Sequence, residues 1–111
     1  MSLSRDVDFR TLSAAPVARF ESAVATVGGQ MYVIGGHMEP DLVATDACHA
    51  FSPSQNTWRE CAPAPKEISH LTASVSDDRF IWLVGGYVGQ HPGVGTEATF
   101  RYDTVDDLSL I

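Results

Sequence analysis

The 111-residue chain has few basic side chains, and this shortage limits the partners that it can bind. Seven lysines and arginines stand against 14 aspartates and glutamates, which gives a formal net charge of -7 at pH 7. Affinity for nucleic acid comes mainly from cations that neutralise phosphates, so the composition argues against a nucleic-acid partner. An acidic balance otherwise serves mainly to keep a protein in solution.

Long apolar segments are also missing. The uncharged apolar runs extend over only a few residues, which is too short to cross a membrane, so no membrane partner is predicted. The N-terminal sequence MSLSRDVDFR lacks the apolar core of a secretory signal. The compartment therefore stays undetermined: cytoplasmic as the chain stands, secreted or periplasmic if it is a piece of a longer protein.

Cysteine is scarce, with only Cys48 and Cys61 in the chain. Two cysteines are too few for a disulfide scaffold, and their spacing matches no zinc ribbon. The sequence also lacks a glycine-rich phosphate loop before a helix and a nucleophilic serine in a strand-to-helix turn. We therefore predict no catalytic residues, no metal and no cofactor.

What the sequence does contain is an internal repeat of about 50 residues. The central match is between MYVIGG at residues 31–36 and IWLVGG at residues 81–86, whose glycine pairs lie 50 positions apart. Downstream, residues 51–53 match residues 102–104 at a spacing of 51. Upstream, Phe9-Arg10 matches Trp58-Arg59 at a spacing of 49. The chain therefore consists of repeated structural units.

Short apolar segments bounded by turn residues predict β-strands. In the first repeat these segments are residues 23–27, 31–34, 47–51 and 58–61. Residues 31–34 are apolar on both faces, which is typical of a strand that is covered on both sides. Four short antiparallel strands in about 50 residues is the size of one β-propeller blade, so the sequence predicts an all-β fold.

The repeat has a recognisable order of residues: an apolar strand that ends in Gly-Gly, then an aromatic turn, a tryptophan and a proline. In the first repeat these are Tyr32-Val33-Ile34-Gly35-Gly36, Phe51-Ser52-Pro53, Trp58 and Pro65. This pattern resembles the Kelch repeat over nearly the whole chain. More narrowly, residues 85–93 resemble bacterial Kelch proteins that are often labelled galactose-oxidase-like. The resemblance implies two four-stranded antiparallel Kelch blades that form a partial β-propeller.

The repeat spacing divides the chain into three expected parts. We assign residues 1–15 to the outer strand of a preceding blade, residues 16–65 to the first Kelch repeat and residues 66–111 to the second. The second repeat has Leu108-Ser109-Leu110 where a tryptophan is expected, so its outer strand is predicted to be truncated or degenerate.

Two blades are fewer than a closed propeller contains. Closed propellers have about 4–8 blades, and a repeat protein generally needs three or more units to cover its apolar faces. We expect open faces that carry Met31, Val33 and Leu83, and such patches rarely stay bare. The favoured partner is the rest of a longer propeller, and the alternative is a homo-oligomer in which three copies form six blades.

One end of the predicted blades collects the loops 37–45, 62–70 and 87–96, the long connections on which binding residues concentrate. Three of the four histidines lie in these loops, but no ligand-spaced histidine pair is present, so a metal is not predicted. The candidate binding residues are Arg19, His37, Glu39, His70, Tyr87, Gln90 and His91.

We interpret the chain as a Kelch-repeat interaction module whose loop face binds a protein. The alternative is a fragment of a bacterial extracellular propeller protein, carbohydrate-related or galactose-oxidase-like, in which Tyr87 is the one loop aromatic that could stack on a sugar. Copper oxidase chemistry would need tyrosine and histidine ligands, whereas Tyr32 and Tyr102 fall at packing positions. We therefore expect no enzymatic activity, unless the chain is part of a larger propeller enzyme.

Large aromatic residues fall at structural positions of the repeat. Tyr32, Trp58 and Trp82 are predicted to pack between sheets, and His49 is predicted to be structural or on the surface. If Trp58 is buried, Trp58→Ala should cost about 3–5 kcal/mol.

The hairpin that ends the first repeat determines where the two cysteines lie. A turn centred between Ser54 and Gln55 would place Cys48 directly opposite Cys61. We expect both thiols to be reduced, because a bridge between directly opposed strand residues has unfavourable geometry unless the pair is not hydrogen-bonded.

Overall fold

Short β-strands make up the regular structure of the computed structural model, which describes residues 8–110. In chain order they are β1 (Ala23–Val27), β2 (Gln30–Ile34), β3 (His37–Met38), β4 (Val43–Ala44), β5 (Cys48–Ser52), β6 (Thr57–Cys61), β7 (Ile68–Ser69), β8 (Thr72–Ser76), β9 (Phe80–Val84), β10 (Tyr87–Val88), β11 (Val94–Gly95), β12 (Thr99–Asp103) and β13 (Leu108–Leu110).

The longer strands form two four-stranded antiparallel sheets, one from each repeat. The first blade has the strand order β1-β2-β5-β6, and the second has the order β8-β9-β12-β13. Neighbouring strands follow one another along the chain and are joined by hairpins or by the loop segments. Residues 8–110 contain no helix, so the predicted all-β architecture of antiparallel blades is confirmed.

The core lies between the two blades. The first blade contributes Tyr32 and Ile34, and the second contributes Ile81 and Tyr102, all with at most 3% of their surface exposed. The rings of Tyr32 and Tyr102 are 5.8 Å apart between centroids. Because each buried aliphatic side chain contributes about 1.5–3 kcal/mol, this contact stabilises both sheets together. The packing role predicted for Tyr32 is confirmed.

The glycine pair after β2 allows the second repeat to approach the first. Gly35 has a φ of 69°, and a Cβ atom built on it would lie 2.5 Å from the backbone oxygen of Ile68. The next amide, that of Gly36, donates a hydrogen bond to the same oxygen at 2.8 Å. Glycine is needed here for its positive φ and for its missing side chain.

Each blade has a second face that points away from the core. The expectation that Leu83 lies on such a face is wrong, because alternation along β9 turns Leu83 inward and leaves it 1% exposed. The same alternation turns Trp82 outward, where it is 36% exposed. The prediction that Trp82 packs between the sheets is therefore wrong. Val24 and Val84, at 55% and 48%, also lie on open faces.

The predicted register between Cys48 and Cys61 is confirmed, because the two residues are partners in the β5–β6 ladder. The expectation of reduced thiols is wrong: the two cysteines form a disulfide. Their Cα atoms are 5.1 Å apart, within the range of about 4.4–6.8 Å that a disulfide can bridge, so direct opposition does not prevent the bond.

The segment before the first blade runs alongside the β5–β6 turn. Ser13 donates through its amide to the Asn56 side-chain oxygen at 2.9 Å, and its carbonyl accepts from the Trp58 indole at 2.9 Å. Residues 8–12 pair with no strand in the described part of the chain. The assignment of residues 1–15 to a preceding blade, and the repeat boundaries 16–65 and 66–111, therefore stay predictions.

Substitution of Trp58 tests how much aromatic packing on the open face of the first blade contributes to stability. The side chain is half-buried and packs on Phe51, with 5.0 Å between ring centroids. We therefore expect Trp58→Ala to lower the free energy of unfolding by about 2 kcal/mol, below the range for full burial. Urea denaturation measures this, and Trp58→Phe, which loses the indole hydrogen bond and part of the ring but keeps an aromatic contact with Phe51, should cost less. An unchanged midpoint for Trp58→Ala would contradict the packing.

The disulfide gives a second stability test. The bond closes a loop with a sequence separation of 13. Chain-entropy arguments give such a loop about 3 kcal/mol of stabilisation, because the bond restricts the unfolded chain. We expect thiol titration of the denatured protein to find no free thiols, and reduction to lower the urea midpoint. Equal midpoints for the oxidised and reduced protein would contradict this.

Candidate functional site

The loops of the two repeats meet at one end of the blades. The His91 amide donates to the Leu42 carbonyl oxygen at 3.1 Å, and the Gln90 side chain donates to the Asp41 carbonyl oxygen at 3.1 Å. The β7-β10-β11 sheet adds the 62–70 loop, since β7 pairs with β10. The segments 37–45, 62–70 and 87–96, which we call the loop face, are therefore in contact.

Three histidines lie together at this end of the molecule: His37 is buried, and His70 and His91 are exposed. The His37 ring is 5.4 Å from that of His70 and 5.8 Å from that of His91, measured between centroids. Phe20 lies against the same ring at 5.7 Å. The structure thus brings together three of the predicted site residues, His37, His70 and His91, one from each of the three segments of the loop face.

His37 is the most buried member of the cluster. It is fully buried, and neither of its ring nitrogens has a hydrogen-bond partner in the described part of the chain. Burial lowers its pKa, and the nearby imidazoles of His70 and His91 lower it further, against a smaller opposing effect of Glu21. The ring is therefore neutral at pH 7 and packs as an aromatic residue.

His70 is exposed and lies between the buried ring of His37 and the surface. Its Nε2 atom lies 3.7 Å from a carboxylate oxygen of Glu21, and its Nδ1 atom lies 3.0 Å from the Ser69 hydroxyl. The ring of Tyr87 packs on it with 5.3 Å between centroids. Tyr87 is 44% exposed, so its ring is available to a ligand.

A groove of about 750 Å³ lies beside Tyr87. It is open to solvent and offers hydroxyl, carboxylate and imidazole groups to a ligand. The residues that line it are His70, Gly86, Tyr87, Gly95, Thr96 and Glu97. Sequence reasoning missed Glu97, because this residue falls just beyond the predicted loop and no repeat signal distinguishes it.

Arg19 is engaged with the first blade. Its terminal nitrogens donate to the carbonyl oxygens of Val33 and Ala47 at 2.9 and 2.8 Å, and one lies 3.0 Å from Nδ1 of His49. Burial lowers the pKa of Arg19, and burial together with this guanidinium lowers the pKa of His49. These contacts join the end of β2 to the beginning of β5, the two central strands of the sheet, so they give Arg19 a structural role.

The remaining predicted residues, Glu39 and Gln90, are exposed on the loop face. Exposed carboxylates of Asp41 and Glu67 accompany Glu39 there, Glu97 lies just beyond it in the groove, and Lys66 is the neighbouring cation. Within residues 8–110, no group of three or more histidine, cysteine, aspartate or glutamate side chains is arranged to hold a metal ion. The described residues also form no helix long and apolar enough to span a membrane.

Two packed four-stranded sheets, each from one repeat with a glycine pair after its second strand, define a pair of β-propeller blades. The family described as the Kelch motif matches residues 18–65. The chain is 33% identical over 97 residues to Kelch-like protein 35 of Mus musculus, and this match covers 87% of the chain. It is 31% identical over 78 residues to Kelch-like protein terF of Aspergillus terreus, which covers 68% of the chain. The chain belongs to the Kelch-repeat family.

The matches cover only 15% and 17% of the two relatives' own lengths. The chain thus corresponds to a small part of each relative. Both relatives are eukaryotic, so these comparisons give no support to the narrower resemblance to bacterial galactose-oxidase-like proteins.

The buried histidine makes stability depend on pH. Because the pKa of His37 is lowered in the fold, the unfolded chain binds more protons below its ordinary value of 6.5, and stability falls as the pH is lowered. His49 acts in the same direction. We expect His37→Leu to reduce the slope of unfolding free energy against pH between about pH 7 and pH 5. Val94→Ala, at an exposed position of β11, should leave the slope unchanged, and a slope for His37→Leu equal to that of the wild type would refute the assignment.

Proposed function

We propose that the chain is a protein-interaction module and that the loop face binds a segment of a partner protein. The observation that carries this proposal is the joined loop face, in which Tyr87 stands exposed beside an open groove of about 750 Å³. Exposed aromatic residues in grooves are typical anchors for a protein ligand. The names of the two relatives agree with a Kelch-like interaction protein and add no partner.

The charge of the loop face indicates the chemistry of the partner. Its exposed carboxylates outnumber Lys66, and Glu97 lies in the groove itself. Complementary charge increases the rate and specificity of association more than the affinity. We therefore propose a ligand segment that carries lysine or arginine next to an apolar or aromatic residue, which would contact Tyr87.

The side chains that line the groove support binding rather than catalysis. His70, the imidazole of the groove, contacts Glu21 and the hydroxyl of Ser69, but Ser69 is fully buried and does not line the groove, so a substrate in the groove would not reach that hydroxyl. We therefore propose no catalytic role for this chain. The activity of any longer protein that contains it is a separate question.

Peptide selection tests the proposed function. A random peptide library displayed on phage is panned against the immobilised wild-type chain, and single peptides are then measured by titration. We expect enriched peptides to be basic and to lose affinity about 10-fold or more with Tyr87→Ala, since an anchor residue contributes about 2 kcal/mol or more and about 1.4 kcal/mol corresponds to a tenfold change. Glu97→Gln should weaken binding mainly at low salt, because salt screens exposed charges.

The matched control is Val105→Ala, an exposed residue, 69% accessible, in the turn at the opposite end of the second blade. It should bind the selected peptides as the wild type does. Peptides that bind all three variants equally would show that the loop face is not the site.

Titration against a panel of glycans distinguishes a carbohydrate ligand from a protein ligand. Tyr87 beside Thr96 and Glu97 is also the kind of surface on which a pyranose ring can stack and hydrogen-bond. Saturable glycan binding that Tyr87→Ala abolishes, with no peptide enrichment, would favour the carbohydrate alternative over the protein ligand.

A further inference from the structure

The loop face is held together less firmly than the blades. Among the described residues, two hydrogen bonds join its segments 37–45 and 87–96: the His91 amide donates to the Leu42 carbonyl oxygen and the Gln90 side chain donates to that of Asp41, both at 3.1 Å. The central strands of each blade pair along four or five consecutive residues. A region with few hydrogen bonds between its parts opens more readily than a sheet. Side-chain packing therefore decides whether these two segments stay together.

His37 lies at the centre of that packing. Its ring is fully buried and is 5.4 Å from that of His70, 5.8 Å from that of His91 and 5.7 Å from that of Phe20, measured between centroids. These three rings come from segment 62–70, from segment 87–96 and from the residues before β1. A movement of His37 therefore changes the contacts of every one of these parts.

A proton on the buried His37 ring would have no favourable partner. Neither ring nitrogen has a hydrogen-bond partner among residues 8–110. A buried charge that is neither paired nor hydrogen-bonded is costly, so a buried imidazole stays neutral. His37 therefore takes up a proton only when its ring reaches water.

The charged groups around His37 do not offset this cost. His70 and His91 disfavour a positive charge on the ring, and Glu21 favours it with a smaller effect. The Glu21 side chain is half exposed and lies 3.7 Å from Nε2 of His70. The other charged side chains of the loop face and the groove are exposed to solvent: Glu39, Asp41, Lys66, Glu67 and Glu97.

The second repeat indicates that this position needs an aromatic ring and not a histidine in particular. The residue 50 positions after His37 is Tyr87, whose ring packs on His70 with 5.3 Å between centroids. Histidine differs from the other aromatic residues because it changes charge between about pH 5 and 8. The histidine at position 37 therefore adds a response to pH to a packing position.

We propose that acid opens the loop face: a proton on His37 separates segments 37–45, 62–70 and 87–96, and the ligand of the face is released. The open form exposes the imidazole to water, where its charge is stable, whereas the closed form holds only the neutral ring. Protonated histidine clusters change contacts in this way in other pH-sensitive proteins. The release of a ligand rests on the proposed function of the loop face, and the opening itself does not.

Amide hydrogen exchange of the free chain measures the opening. The amides of Ile68 and His91 donate to the carbonyl oxygens of Thr45 and Leu42, so both lose their acceptors when segment 37–45 separates. From the ordinary histidine pKa of 6.5, linkage predicts an opening constant about 10 times larger at about pH 5.5 than at about pH 7.5. The protection of both amides, corrected for the exchange rate of an unfolded chain at each pH, should fall by that factor and depend little on urea.

Two variants and a matched control assign the pH dependence to His37. His37→Phe keeps an aromatic ring that does not titrate, and His37→Leu is a smaller second variant, so both should remove the pH dependence of the Ile68 and His91 amides. His49→Gln replaces a second buried histidine, in β5, and keeps an acceptor for Arg19, so it should leave that dependence intact. Amides that exchange only with the urea dependence of the blades, or a pH dependence that both His37 variants retain, would overturn the proposal.

A peptide selected against the loop face tests the release separately. If the peptide binds only the closed face, a free concentration of about ten times its Kd should raise the protection of the Ile68 and His91 amides about 10-fold. Unchanged protection with a peptide that does bind would refute the release. If no peptide is selected, the proposed function fails, whereas the exchange of the free chain still decides whether acid opens the face.

Discussion

The face-to-face contact of the two blades is the interaction on which the rest of the structure depends. Four short strands have too little apolar surface to be stable as an isolated sheet, so each blade needs the other to cover one side. Tyr32 and Ile34 meet Ile81 and Tyr102 in that contact. The position of the loops follows, because the glycine pairs set how closely one repeat can approach the next.

The loop face is a consequence of this packing. Gly36 joins the end of β2 to Ile68 of the next repeat through a backbone hydrogen bond of 2.8 Å. That bond brings the 62–70 loop beside His37, and Tyr87 then closes over His70. The face is thus assembled from both repeats, and neither blade could form it alone.

The same packing includes one unfavourable feature: the ring nitrogens of the buried His37 have no hydrogen-bond partner among residues 8–110. A buried polar group without a partner costs stability, and His37 avoids the larger cost of a buried charge by staying neutral. Around it, the exposed carboxylates and Tyr87 remain free to meet a ligand. At the loop-face end of the molecule, the buried His37 therefore contributes to packing, and the exposed side chains carry the proposed binding.

The sequence by itself determined the fold class, the strands of each blade, the Cys48–Cys61 register and which three loops meet, because these follow from local periodicity and repeat spacing. The sequence did not show which side of β9 faces the core, because β9 is apolar on both sides. The predictions that Leu83 lies on an open face and that Trp82 packs between the sheets were therefore wrong. Only the tertiary structure showed the cysteine bond, the burial of His37 and the part of Glu97 in the groove. The burial of His37 depends on distances between the two repeats, and the other two features depend on side-chain geometry within one repeat; spacing along the chain encodes neither.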